Sequence, residues 1–158
     1  MDLNNLSNKE LYYYNIAIDI ALESEQHYKL GCVIIKNGQI ICRNCNDKRS
    51  RINGKNFVCI HAEVNCIHNL LKYEKNQRKL KKYIIFVVRL GKDELGNTIL
   101  RNAKPCKYCT ESIKKIGLKK ILFSNDNGNI EKIKLSDFDS EYISKGYDRF
   151  NDFIIKSY

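Results

Sequence analysis

Proline is almost absent from this chain: one in 158 residues, at Pro105. No proline-rich or low-complexity linker exists, and no internal repeat is visible, so the whole of 1–158 reads as one domain, with 1–7 and 137–158 peripheral. No apolar run approaches the ~20 residues that a membrane-spanning helix needs. Met1 to Glu10 is polar and lacks the apolar core of a secretory signal, so an intracellular protein, cytoplasmic or nuclear, is expected. An even cysteine count is also missing. Seven cysteines in an intracellular chain read as thiols or metal ligands rather than as a disulfide framework. Acidic residues are in deficit, leaving a formal net charge of +10. That charge admits an acidic partner such as nucleic acid or a nucleotide. It also fits a lysine-rich composition, with Lys outnumbering Arg about threefold. Where the cations sit therefore decides more than their sum.

What is present is a globular pattern, 43% hydrophobic and strongly periodic. Residues 8–26 predict a helix capped by Ser7 or Asn8, with Leu11, Tyr14, Ile18, Ala21 and Leu22 on one stripe. Gly31 to Ile35 and Gln39 to Asn44 predict a hairpin about Asn37-Gly38. A basic loop, Asn46 to Lys55, leads to a helix over His61 to Tyr73. Glu74 to Lys82 reads as a connector. Tyr83 to Leu90 is a near-continuous apolar run, as expected of a central strand covered on both faces. After a loop from Gly91 to Lys104, Pro105 opens a helix that Gly117 stops. Leu118 to Ser124 and Ile130 to Leu135 predict two more strands, and Phe150 to Lys156 a short helix. The order predicts an α/β fold, a three-layer α-β-α sandwich on a five-stranded mixed sheet. The turn from Asn125 to Asn129 is too short for the dozen residues a parallel crossover needs, so the fourth and fifth strands should be antiparallel.

Two half-motifs carry the chemistry. Cys106 and Cys109 lie three apart at a helix start, so both sulfurs can face one side, and the helix N-terminus favours thiolate. His61 and Glu63 open the other helix. If the two N-termini lie side by side, His61 joins the sulfurs as a three-ligand zinc site with one open position, and Glu63 reaches that position instead of the metal. Cys42 and Cys45 also read C-x-x-C, but on a strand residues three apart face opposite sides, so these two read as core thiols. Cys59 and Cys66 read as small buried hydrophobes. His68 lies ~10 Å along the helix from His61 and His27 has no constellation near it. The lysine clusters at the far ends of the two zinc helices read as solvated surface. Lys48, Arg49, Arg51 and Lys55, with Arg101, Lys104 and Lys107, should rim the pocket mouth.

H-x-E followed by P-C-x-x-C is the signature of zinc nucleobase deaminases. In IHAEVNCIHNL (Ile60 to Leu70) and KPCKYCTESIKKIG (Lys104 to Gly117) the chain resembles the cytidine/deoxycytidylate deaminase superfamily, over roughly Ile16 to Leu135 in element order. The resemblance implies that His61, Cys106 and Cys109 bind Zn2+ and that Glu63 is the catalytic proton shuttle in hydrolytic deamination. It also implies a substrate-binding asparagine near the end of the second strand, Asn46 or Asn44, beside Ala62, Arg49, Arg51 and Lys104. The His-Ala-Glu form resembles deoxycytidylate, tRNA-adenosine and APOBEC-type deaminases. The antiparallel final strands resemble cytidine-type, toxin-type and organelle RNA-editing enzymes. Together they tilt the expectation toward cytosine-to-uracil conversion in single-stranded DNA or RNA. A small-molecule cytidine, deoxycytidine or cytidylate deaminase is the alternative, and a non-catalytic, nucleic-acid-binding member of the fold is a third. No membrane partner is expected, and the oligomeric state stays open, a homo-oligomer included.

Overall fold

The computed structural model describes residues 5–48, 51–52, 55–56 and 60–143. In chain order the elements are α1 (Asn8–Leu22), β1 (Lys29–Lys36), β2 (Gln39–Cys45), β3 (Arg51–Ile52), β4 (Lys55–Asn56), α2 (Ala62–Tyr73), α3 (Gln77–Leu80), β5 (Tyr83–Lys92), β6 (Thr98–Arg101), α4 (Lys107–Ile116), β7 (Lys120–Ser124) and β8 (Ile130–Lys134), followed by a 3-10 turn at Leu135–Asp137.

The main sheet runs β2-β1-β5-β7-β8, and β6 pairs with β5. Only β5 and β7 pair in parallel among these neighbours; every other pairing is antiparallel. The β1–β2 hairpin turns on Asn37 (φ 50°) and Gly38 (φ 82°), the two left-handed positions that a tight hairpin with Asn-Gly supplies. β7 and β8 form the expected antiparallel pair, from Lys120 opposite Lys134 to Ser124 opposite Ile130. Their turn is held by Asn125, whose Oδ1 accepts from the N–H groups of Asn127 and Asn129.

Side chains of β5 alternate between two cores. Ile85 and Val87 face α2 and α4, packing with Cys32, Ile34, Cys66, Ile67, Ile113 and Ile121. Phe86 and Val88 face α1, packing with Tyr14, Ala17, Val33, Ile35 and Leu122. The central strand is thus covered on both sides, and the three layers are those expected.

Four details differ from expectation. First, a sixth strand, β6, lies within Gly91 to Lys104, and β5 runs on to Lys92 to meet it. Asp93 closes that hairpin by accepting from the N–H groups of Leu95 and Asn97. Second, α1 ends at Leu22, not Gln26, and its buried face is rotated: Tyr13, Tyr14, Ala17, Ile20 and Ala21 are inside, while Leu11 and Leu22 are 37% and 51% exposed and Ile18 is half-buried. The cause is Gly31. A Cβ there would overlap the carbonyl oxygen of Ala17 and lie 2.6 Å from the nitrogen of Ala21. The helix rests its small residues on a bare strand backbone, and that closest approach outweighs the larger apolar side chains to either side. Third, the connector after α2 contains α3. Fourth, the basic loop contains the two-residue ladder of β3 and β4. The helix expected near Phe150 lies outside the described residues.

Candidate active site

The two zinc half-motifs occupy equivalent positions. His61 is the N-cap of α2 and Cys106 the N-cap of α4, both with extended backbone, and neither side chain caps its own helix. A backbone bridge between Asp47 and Ile60 delivers the chain to His61. The hydrogen bond from Lys107 N–H to the Tyr142 carbonyl, 2.7 Å, ties down the start of α4. Freed from capping, the side chains face each other. His61 Nδ1 lies 3.7 Å from Cys106 Sγ and 3.3 Å from Cys109 Sγ, and the three ligand atoms lie within 4.8 Å of one another. A tetrahedral zinc with the usual bond lengths would separate nitrogen from sulfur by ~3.5 Å. The two observed distances bracket that value, so the donor set fits Zn2+.

The protonation pattern agrees. A hydrogen bond from the Cys109 thiol, aided by His61, outweighs burial and holds Cys106 down at about 4. The same bond, together with burial, pushes Cys109 up. The pair shares a proton that a dication would displace.

Glu63 sits on the first turn of α2 and is 2% exposed. Burial pushes its carboxyl up, against the lowering pull of His61. Its Oε2 has no hydrogen-bond partner among the described residues. A buried carboxylate oxygen without a partner costs free energy unless something outside the chain supplies one. Zinc ligation by the other three residues does not require this group.

The remaining candidate residues are distributed as follows. Ala62 packs in the α2–α4 core. Asn46 Oδ1 accepts from Leu30 N–H at 2.9 Å and its Nδ2 donates to the Tyr28 carbonyl at 2.7 Å, so its amide clamps the entry to β1. Asn44 Oδ1 accepts from Asn69 Nδ2 at 2.8 Å, further along α2 than the zinc motif. Arg49 lies outside the described residues, as does the side chain of Arg51. Lys104 precedes Pro105, with its N–H bonded to Asn102 Oδ1 and its ammonium over the Phe138 ring. Cys42 is in the core and Cys45 half-buried. His68 is nearly buried on α2.

A cavity of about 1090 Å3 opens at the end of β5 and β6; its lining includes Lys104, two residues before Cys106, but none of His61, Glu63, Cys106 and Cys109. Its walls come from the α1–β1 segment, the end of β5, β6, the loop to Lys104, Asp126 and Tyr142. Sequence reasoning placed Arg101 and Lys104 at the pocket rim but passed over Tyr28 and Arg89, and it left His27 without neighbours. In the structure His27 meets the Tyr28 ring edge-on and lines this cavity. The available signal was Arg89 itself, the one charge in the run YIIFVVRL.

No helix of the described residues is long and apolar enough to cross a membrane. The family model for the cytidine and deoxycytidylate deaminase zinc-binding region matches residues 7–125. Among curated proteins, none matches this sequence. Among solved structures, the dCMP deaminase of cyanophage S-TIM5 in apo form is similar at 21% identity and a TM-score of 0.55, covering 76% of this chain and 86% of that one. The same enzyme in complex with dCMP and dUMP aligns at 19% identity and a TM-score of 0.55, covering 77% and 85%. At these identities the likeness is one of fold.

Proposed function

Since the chain belongs to the cytidine and deoxycytidylate deaminase family, we propose that it hydrolyses the exocyclic amine of cytosine, giving uracil and ammonia, and that its substrate is cytosine within single-stranded DNA or RNA. The observation that carries the chemistry is the buried Oε2 of Glu63, without a hydrogen-bond partner among the described residues, next to the His61, Cys106 and Cys109 donor set. Zinc held by these three residues would lower the pKa of a water toward ~7 and so supply hydroxide near neutral pH. Glu63 Oε2 accepts the proton that the water gives up and delivers it to N3 of the ring. With the water oxygen added to C4, Glu63 takes the remaining proton of that C4 hydroxyl and delivers it to the amine nitrogen, so that the C4–N bond breaks, ammonia leaves and the C4 oxygen becomes the uracil carbonyl. A carboxyl raised by burial suits both directions of transfer, because it holds a proton more readily than an exposed one would. His61, Cys106 and Cys109 hold the metal and take no part in proton transfer.

The reading for a polynucleotide draws on the antiparallel β7–β8 pair and on the basic cavity at the end of β5 and β6. A second reading, free deoxycytidylate, draws on the fold shared with the phage enzyme solved with dCMP and dUMP. Incubating the zinc-loaded protein with cytidine, deoxycytidine, their monophosphates, and single-stranded DNA and RNA oligonucleotides separates them. Ammonia release with cytosine-to-uracil change in oligonucleotides is expected. Turnover of free nucleotides alone would overturn the first reading in favour of the second, and no turnover of any substrate would overturn both.

A further inference from the structure

We propose that the basic cavity at the end of β5 and β6 is a phosphodiester-binding subsite, in which Arg89 and Arg101 grip the strand backbone next to the target cytidine and Tyr28 stacks a neighbouring base. The proposal rests on the polynucleotide reading above and deepens it.

Arg89 on β5 and Arg101 on β6 are register partners, directly opposite each other across an antiparallel pair. Like charges at that spacing repel and destabilise the ladder. By alternation and register both stand on the sheet face that carries Ile85 and Val87, the face covered by α2 and α4. Gly91 makes room for the arrangement: the Arg101 stem lies across it, 2.9 Å from where a Cβ would stand, and its guanidinium donates to the Lys92 carbonyl. Arg89 lies over the Tyr28 ring, 4.5 Å from its centre, and its Nε is buried without a hydrogen-bond partner among the described residues.

Lys29, Lys92 and Lys104 line the same cavity. Among the described residues, no carboxylate forms an ion pair with any of these five cations. Against these five cations the wall sets two carboxylates, Glu25, which pairs with Lys48, and Asp126, which accepts from Asn102 N–H. An opposed arginine pair, an unsatisfied guanidinium nitrogen and three further cations make a pocket short of negative charge, which phosphate oxygens would supply.

The aromatics favour a strand over a lone phosphate. Tyr28 and Tyr142, 57% and 61% exposed, both line the cavity. A basic groove interleaved with exposed aromatic faces is how proteins hold single strands. Two lining residues connect the cavity to the cysteine motif: Lys104 is two residues from Cys106, and the Tyr142 carbonyl accepts from the first N–H of α4. Asn46 becomes a positioning residue here, since its amide fixes the Tyr28 and Leu30 backbone that carries the stacking ring.

The test reads oligonucleotide binding, with turnover of dCMP and of cytosine-containing oligonucleotides measured beside it. Zinc-loaded protein is titrated into labelled, cytosine-free dT and rU oligonucleotides at 50 to 200 mM salt. The Arg89→Gln/Arg101→Gln protein should bind more weakly, with a salt slope smaller by about 1.4, the loss of two phosphate contacts on a single strand. Arg89→Lys/Arg101→Lys should restore the slope, which a purely packing role would not. Tyr28→Ala should weaken binding at least about fivefold. Without nucleic acid, the Gln variant should still melt in one cooperative transition, which separates lost binding from lost folding. An unchanged slope in the Gln variant overturns the subsite even if oligonucleotides are deaminated. Equal loss of dCMP turnover and oligonucleotide binding in the Gln variant overturns the strand assignment, since the arginines would then hold a single nucleotide's own phosphate. Normal, arginine-dependent oligonucleotide binding with no deamination leaves the subsite standing and fails the proposed activity instead.

Discussion

The two faces of the sheet solve opposite problems. Beneath α1, polar groups satisfy one another. Ser7 and Glu10 form a reciprocal capping box, and Glu10 also bonds Lys132 at 2.8 Å and faces Lys120 at 3.6 Å, so helix and sheet edge are joined by one network. Around the N-termini of α2 and α4 the arrangement differs. His61 and Cys106 do not cap their helices, Glu63 Oε2 has no hydrogen-bond partner among the described residues, and Arg89 and Arg101 stand opposite each other. Where a network closes on itself the fold is scaffold, while a buried carboxylate oxygen and a buried guanidinium nitrogen left without partners among the described residues point to something the chain does not contain.

The largest expected effect lies on the face of α2 and α4. Cys106→Ala should abolish zinc binding, measured as bound metal per protein, and all turnover with it. Glu63→Gln should keep its zinc yet lose at least about 10²- to 10⁴-fold in rate. Its metal-free form should melt no lower than wild type, because the orphan carboxylate is gone. Loss of zinc from both variants alike would erase the distinction between ligand and proton carrier.

Next comes the face of α1. Gly31→Ala should destabilise by about 3 kcal/mol in denaturant unfolding, because the new methyl meets α1 backbone that cannot step aside. A silent substitution would mean that α1 is not seated on β1 as described.

The smallest effect is that of Glu10. Burial alone would raise its carboxyl, but hydrogen bonds from Lys132 and Ser7 outweigh this and hold it at about 2. A depressed carboxyl stabilises the fold above its unfolded value of 4.5 and loses that contribution as pH falls toward 2. Screened by solvent at this partly exposed position, the pairing should make Glu10→Gln cost about 1 kcal/mol at pH 7. The gap to wild type should close between pH 4.5 and 2. A gap that persists at low pH would assign the loss to packing rather than charge.

Legibility followed the range of the physics involved. The starts of α2 and α4 could be read because capping, proline at a helix opening and i, i+3 spacing are local rules. The antiparallel β7–β8 pair could be read because a turn of five residues admits no crossover. Thr98-Ile-Leu-Arg101 escaped because four residues carry little periodicity, although Gly96-Asn97 ahead of them is a turn signal. The α1 stripe was misjudged because its rotation depends on Gly31, which lies outside the helix. Tyr28 and Arg89 escaped because each takes its meaning from the other.

By itself, then, the sequence determined the chemistry on offer: a His-Ala-Glu start and a Pro-Cys-x-x-Cys start, each readable within a single helical turn. Tertiary structure decided what those turns face. Parallel pairing of β5 with β7 brings the start of α4 to the carboxyl end of β5, where His61 Nδ1 comes within 3.7 Å of both sulfurs. The pairing of β6 with β5 sets two arginines against each other at the same end. Such contacts join residues dozens of positions apart, and no local periodicity encodes them.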